Sequence, residues 1–116
     1  MNEKINVGMT KVDLFNARNA SRDVKEAINA GEVLTVTGCA IIENGGTDKQ
    51  GNPCDIGYIA TTAGVFGFIS NIMIGALDFF ADILTDNISD GKETHIVFHA
   101  ATSKGGSEYY NFEIVQ

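Results

Sequence analysis

Basic residues and proline are scarce in this sequence, and tryptophan is absent from it. It has eight Lys and Arg residues against fifteen Asp and Glu, one proline (Pro53) and no tryptophan. The net charge of −7 suits a solvated acidic surface and opposes binding to phosphates. Residues 1–25 nevertheless carry +2 and residues 26–116 carry −9, with only Lys49, Lys92 and Lys104 basic after residue 25. Charge therefore disfavours a nucleic-acid ligand, but a local groove can differ in sign from the whole surface.

Cysteine is also rare. Cys39 and Cys54 are fifteen residues apart and form no CxxC or Cys/His metal-binding pattern. They are predicted to be free thiols in a reducing compartment. Residues 1–20 alternate polar and charged groups without an apolar run, so no signal peptide is expected and the predicted location is the cytoplasm.

Motifs for catalysis and cofactor binding are missing. The sequence has no GxGxxG, P-loop or GxSxG pattern, so we expect neither an enzyme nor a cofactor. His95 and His99 share one face of a predicted strand but lie about 13 Å apart along it, too far to hold one metal ion together. They are predicted to be polar positions on a solvated strand face.

A stretch without charge, Ile56–Leu77, is long enough to span a bilayer at twenty-two residues. It contains four glycines, with Thr61, Thr62, Ser70 and Asn71 near its centre, and neither flank has the Lys/Arg bias that orients a membrane span. We therefore predict no membrane insertion.

The pattern of apolar and turn-forming residues predicts one α+β domain over residues 1–116. Residues 1–30 form an N-terminal helical arm and residues 31–116 form a core of sheet and helix, in the order αα-βββ-α-ββ. The predicted helices are Val12–Ala17, Arg22–Asn29 and Asn71–Asp86; the predicted strands are Glu32–Glu43, Ile56–Thr62, Val65–Phe68, Thr94–Ala101 and Glu108–Val115. The fold class is thus a small twisted antiparallel sheet of about five strands with one main helix and short N-terminal helices.

The main helix has the clearest pattern. Ser70 is its predicted N-cap, and its apolar stripe comprises Met73, Leu77, Phe80 and Leu84, widened by Ile72, Ala76 and Ile83. Asp78, Asp82 and Asp86 recur every four residues and mark its solvated side.

Aromatic residues are the remaining candidates for function. On the last strand Tyr110, Phe112 and Ile114 share one face, predicted to be core, and Tyr109 shares the opposite, exposed face with Asn111 and Glu113. This places Tyr109 beside Lys104 of the loop Thr102–Ser107. A tyrosine next to a lysine can stack on a base and neutralise a phosphate, although burial in the core is an equally ordinary role for these rings.

Three segments of the sequence resemble a known family. GEVLTVTGCAI (31–41), TTAGVFGFISN (61–71) and TSKGGSEYYNFEIV (102–115) occur in that order. Together they resemble the small single-stranded DNA-binding proteins of protein-primed bacteriophages of Gram-positive hosts, over residues 31–116.

The resemblance implies a viral protein that coats displaced single strands during phage DNA replication, without sequence preference or cofactor, on an OB-like or related open barrel. The matching DNA-binding positions are Tyr58, Phe66, Tyr109 or Tyr110, Lys49 and Lys104. The chain departs from this role in its few lysines, which predict weak binding dominated by stacking and a shallow dependence on salt. In the host cell such a protein is cytoplasmic, and it can also associate with itself.

Two other functions remain open. An acidic phage protein can act by protein–protein binding, as a nucleic-acid mimic or anti-defence factor, with Asp78, Asp82 and Asp86 as its contact face. A structural virion component, in which apolar strands pair between subunits, is the weaker possibility.

Overall fold

The computed structural model describes residues 2–115, which form six strands and three helices. In chain order the elements are β1 (Asn2–Val7), α1 (Lys11–Ala20), α2 (Val24–Ala30), β2 (Leu34–Thr47), β3 (Pro53–Thr61), β4 (Gly64–Phe68), α3 (Asn71–Ser89), β5 (Thr94–Thr102) and β6 (Glu108–Val115). The α+β class and the antiparallel sheet are confirmed. One strand more than expected is present, because residues 2–7 also join the sheet.

Local capping explains where the N-terminal helices begin and end. The Thr10 hydroxyl accepts a hydrogen bond from the Asp13 backbone N–H at 3.1 Å, and the Asp13 carboxylate accepts one from the Thr10 N–H at 2.8 Å. This capping box starts α1. Gly31, at φ 63°, ends α2 in the left-handed conformation that glycine adopts without steric cost.

The long strand β2 organises the sheet. One of its edges pairs with β3, while the other is divided between β5, opposite Leu34–Val36, and β1, opposite Cys39–Glu43. The remaining pairs are β3 with β4 and β5 with β6, and every pairing between these strands is antiparallel. The order β4-β3-β2-β5-β6 leaves β4 and β6 at the two ends of an open sheet. Register shifts at Val36/Gly38 and at Ile42/Gly46 bend β2, as bulges do.

Both faces of the sheet are packed, over different parts of its area. The inner face lies under α2 and α3, where Phe66, Leu77 and Ile96 are fully buried. On the outer face α1 buries Leu14 and Ala17 against a second cluster formed by β2 and β3. The N-terminal residues 2–30 thus contribute a strand and two packed helices, not a separate arm.

The helix α3 begins where predicted and runs three residues beyond the predicted end. The Ser70 hydroxyl accepts a hydrogen bond from the Met73 N–H at 3.5 Å. Met73, Leu77, Phe80 and Leu84 are buried as expected, and Asp78, Asp82 and Asp86 are exposed. Ile72 is 47% exposed, because the apolar stripe is wider than the area that the sheet covers.

The uncharged stretch Ile56–Leu77 is divided among β3, β4 and the first part of α3. Within residues 2–115 no helix has the length and apolar character needed to cross a membrane.

Candidate nucleic-acid interface

Two of the predicted stacking residues, Tyr58 and Phe66, lie in the core. Tyr58 is 3% exposed and Phe66 is completely buried. The Phe66 ring packs against Phe98 with 5.0 Å between ring centroids, and the Arg22 guanidinium lies 4.8 Å from the Phe66 centroid. A base cannot reach either ring while these contacts are intact, so the expectation that Tyr58 and Phe66 stack on DNA does not fit this structure.

Tyr58 is buried because α1 covers the outer face of β3. Its ring belongs to the cluster of Leu14, Ala17, Ala40 and Ile42, and this burial raises the pKa of its hydroxyl, opposed by the nearby positive charge of Arg18. Tyr58 also lines a cavity of about 260 Å³ between α1 and the bulge of β2. That volume is below the usual range for small-molecule sites, about 300–1,000 Å³.

The terminal hairpin, β5 and β6, separates its two tyrosines onto opposite faces. Tyr109 is paired with Ala101, and Tyr110 with Ala100. Tyr110 packs against the inner core, whereas Tyr109 lies on the outer face with part of its side chain accessible. The two rings lie on opposite faces of the strand, as alternation predicts, but both are half-buried, and Ile114, expected in the core, is 40% exposed.

Around Tyr109 the two strands form a continuous half-exposed surface, which we call the hairpin outer face. It consists of His95, Val97, His99, Ala101, Tyr109, Asn111, Glu113 and Val115, which the register places on one side of β5 and β6. Each of these residues keeps part of its side chain accessible, whereas Ile96 and Phe98 on the inner side are buried.

On this surface His99 and Tyr109 are diagonal neighbours. His99 is paired with Asn111, two residues from Tyr109, and diagonal pairs of this kind lie about 7–8 Å apart. Two flat rings are therefore next to each other, with the amide of Asn111 beside them. The prediction that both histidines share one strand face is confirmed, but the neighbourhood of His99 and Tyr109 was missed. The spacing of His95 and His99 places both side chains on one face of β5, and aligning β5 with β6 then places His99 beside Tyr109.

Lys104 is presented by a tight loop at the tip of the hairpin. The Ser103 N–H donates to the Ser107 carbonyl at 2.8 Å, and Gly106, at φ 83°, closes the turn with an N–H donated to the Ser103 carbonyl at 3.0 Å. Lys104 is exposed, and within residues 2–115 it forms no ion pair. It therefore offers a free cation five residues before Tyr109.

Lys49 belongs to a different part of the surface. It lies in the loop between β2 and β3, where the Asp48 carboxylate accepts backbone hydrogen bonds from Gln50 and Asn52, each at 2.9 Å. β2 and β5 are antiparallel, and Leu34 at the start of β2 pairs with Ile96 near the start of β5. The two strands therefore extend from this pair in opposite directions, and the loops that follow them, which carry Lys49 and Lys104, leave the sheet at opposite ends. Of the six predicted residues, the fold thus groups Tyr109 with Lys104, with Tyr110 on the reverse side of the same strand.

Carboxylates are few on the hairpin outer face but not absent. Glu113 is exposed there, and the Glu93 carboxylate lies 3.7 Å from Nε2 of His95 at the opposite end from Lys104. Nowhere in the described chain do three His, Cys, Asp or Glu side chains gather in a way that could hold a metal ion.

Comparisons of the chain with protein-family models, with characterised proteins and with solved structures found no match. The resemblance to the phage single-stranded DNA-binding proteins therefore stays a prediction carried by the three segments alone.

Proposed function

We propose that this protein binds single-stranded DNA without sequence preference, as a strand-coating protein of phage DNA replication, and that the hairpin outer face is the contact surface. The observation that carries the proposal is the half-exposed ring of Tyr109, next to His99 and five residues from the free cation of Lys104. Aromatic rings stack on any base, and a nearby lysine neutralises the adjoining phosphate.

The connectivity of the sheet supports this ligand. Among the five strands β2 to β6, the long first strand β2 pairs with the second, β3, and with the fourth, β5. The helix α3 connects the third strand, β4, to the fourth. We interpret this arrangement as an open relative of the OB fold, whose loops between its first and second and its fourth and fifth strands contact oligonucleotides. Lys104 occupies the second of those loops, beside the hairpin outer face, whereas Lys49 occupies the first, at the opposite end of the sheet.

The charge distribution sets the expected strength of binding. Stacking contributes about 1–3 kcal/mol per base. One or two phosphate contacts give a slope of about −0.7 to −1.4 in a plot of log affinity against log salt, because a single strand loses about 0.7 per neutralised phosphate. The proposed complex is therefore weak and tolerant of salt, and several copies on one strand are needed for coverage.

Substitution of Tyr109 tests the proposal. We expect Tyr109→Ala to weaken binding of a fluorescein-labelled oligo(dT) by about 5- to 150-fold at low salt, the equivalent of one lost stack. Fluorescence anisotropy measures this without relying on the substituted tyrosine.

Tyr109→Phe is the matched control, since it keeps the ring and removes only the hydroxyl; its affinity should stay within about two-fold of the unmodified protein. Equal affinity of the Ala and Phe variants, or no binding at millimolar oligonucleotide, would reject the hairpin outer face as a DNA site.

A further inference from the structure

The cavity between α1 and the bulge of β2 combines an apolar wall with polar groups, and we call it the α1 cavity. Its volume is about 260 Å³. Its lining comprises apolar side chains, two polar side chains and the bulge: Leu14, Ile42, Ile56, Arg18, Tyr58 and residues 43–45. Close-packed protein interiors leave few voids larger than a water molecule. A cavity of this size and mixed lining is therefore a candidate binding site.

The Tyr58 hydroxyl is a polar group of this cavity without a partner. Tyr58 is 3% exposed, and within residues 2–115 nothing forms a hydrogen bond with its hydroxyl. Every enclosed side-chain oxygen or nitrogen atom of the same residues does have a hydrogen-bond partner. The Tyr58 oxygen is therefore not enclosed by the core but reaches the space of the cavity that its ring lines. A buried tyrosine hydroxyl usually has a partner, so this one is available to a ligand.

The second polar group is the guanidinium of Arg18. Arg18 follows Leu14 by four residues on α1, so the two side chains lie on the helix face that borders the cavity. Burial raises the pKa of the Tyr58 hydroxyl and the positive charge of Arg18 lowers it, because the two groups are near each other. Arg18 forms no ion pair with any residue from 2 to 115. Two hydrogen-bond donors thus face one space.

Glu43 is the acidic residue of the lining, but its carboxylate does not neutralise Arg18. Ile42 packs in the cluster of the outer face, and Glu43 follows it in regular register with β1. Alternation therefore directs the Glu43 side chain to the inner side of the sheet, and its backbone borders the cavity. The charge that the cavity presents to a ligand is the positive charge of Arg18.

We propose that the α1 cavity binds a small organic carboxylate whose apolar body is about the size of one ring. The ligand's carboxylate accepts hydrogen bonds from the Arg18 guanidinium and the Tyr58 hydroxyl, and its apolar body packs on Leu14, Ile42 and Ile56. Guanidinium groups match the planar geometry of a carboxylate. An apolar cavity of about 150 Å³ holds one benzene ring, so the α1 cavity has room for a ring and its carboxylate.

The lining favours this class of ligand over others. Inorganic phosphate would leave the aliphatic wall without a contact, and a neutral ring or a nucleobase would leave the Arg18 guanidinium without an anion. A DNA strand is too large for a cavity of this volume. The site is thus separate from the hairpin outer face, and the inference goes beyond the DNA-binding proposal and does not depend on it.

Benzoate and benzamide test the inference on the whole protein, because they share one ring and differ in charge. In ¹H–¹⁵N NMR titrations we expect benzoate to bind in the millimolar range, as small ligands of this size do. The largest shifts should occur at Leu14, Arg18 and Ile42. Benzamide should bind weaker by about ten-fold or more, because it forms no charge-assisted hydrogen bond with Arg18. Inorganic phosphate should also bind weaker by about ten-fold or more, because it buries no apolar surface.

Conservative substitutions locate the two donors. Tyr58→Phe keeps the packed ring and removes only the hydroxyl, and Arg18→Gln removes the charge at an exposed position of α1. Each should weaken benzoate binding by about five-fold or more, because each removes a hydrogen bond to a charged group. The matched controls make the same changes outside the cavity: Tyr109→Phe, and Lys11→Gln at another exposed position of α1. They should change the affinity by less than about two-fold.

Four results would overturn the inference. They are equal affinity for benzoate and benzamide, phosphate binding at least as tight as benzoate binding, loss of affinity in Tyr58→Phe or Arg18→Gln no larger than in its control, and no shifts around the cavity at tens of millimolar benzoate.

Discussion

Cys39 and Cys54 differ in how accessible their sulfur atoms are to thiol reagents. Cys39 is fully buried on β2, and burial raises the pKa of its thiol to about 12. At pH 8 only about one Cys39 in ten thousand is then in the reactive thiolate form. Cys54 is half-buried near the start of β3.

We therefore expect a thiol reagent at pH 8 to modify one cysteine of the native protein and two after denaturation in guanidinium. Cys54→Ser should abolish the native reaction and leave one reactive thiol in the denatured chain. Rapid modification of both thiols in the native protein would contradict the burial of Cys39.

Tyr58 and Phe66 show what alternation along a strand does not reveal. Period-two patterning assigns residues to faces, but both faces of β3 and β4 are covered, one by α1 and the other by α2 and α3. The sequence does not predict that a helix covers the outer face of the sheet, so a ring on that face is expected to be exposed. The opposite facing of Tyr109 and Tyr110 was predictable because it depends only on the alternation and register of a short hairpin.

At the scale of elements, local signals marked some helix ends and missed others: α3 begins at the predicted residue, whereas α2 begins at Val24, two residues after its predicted start. Thr10, Ser70 and Gly31 each mark a helix end by a capping interaction between near neighbours in sequence. The strand β1 is absent from the predicted strands, because its pairing partner lies more than thirty residues away. Short-range rules contain no information about such a pair.

The contact between β1 and β2 depends on Gly38. A Cβ atom there would lie 2.7 Å from the Val7 carbonyl oxygen, a distance that forces the two strands apart. We expect Gly38→Ala to lower the free energy of unfolding by about 1–3 kcal/mol, with faster hydrogen exchange concentrated in β1.

Gly75 provides the matched control. It lies in α3, and a Cβ atom at this position has no neighbour within 4 Å. Gly75→Ala should raise the free energy of unfolding by about 0.5–1 kcal/mol, the usual difference between these residues within a helix. Urea denaturation measures the free energy of unfolding of both variants. A Gly38→Ala variant that is more stable than the unmodified protein, with a less stable Gly75→Ala variant, would refute the packing of β1 on β2.

At the scale of the whole molecule, the structure separates two surfaces of opposite chemistry on one hairpin. The hairpin outer face has the rings of His99 and Tyr109, the amide of Asn111 and the carboxylate of Glu113, whereas the inner side of β6 has the apolar residues Phe112 and Ile114 beside α3. The net charge of −7 therefore does not describe the hairpin outer face, whose eight residues include one carboxylate, Glu113. This distribution depends on the tertiary packing of α3 beside β6, which is why the sequence predicted the acidic face of α3 but not the exposure of Ile114 beside it.

The most direct test of the account is a map of where single-stranded DNA contacts the protein. In ¹H–¹⁵N NMR spectra titrated with oligo(dT) at low salt, we expect the largest shifts at Tyr109, Asn111, His99 and Lys104, with α3 unaffected. Shifts confined to α3 or to the cavity beside Arg18, or no shifts at millimolar oligonucleotide, would contradict the central claim that the hairpin outer face binds single-stranded DNA.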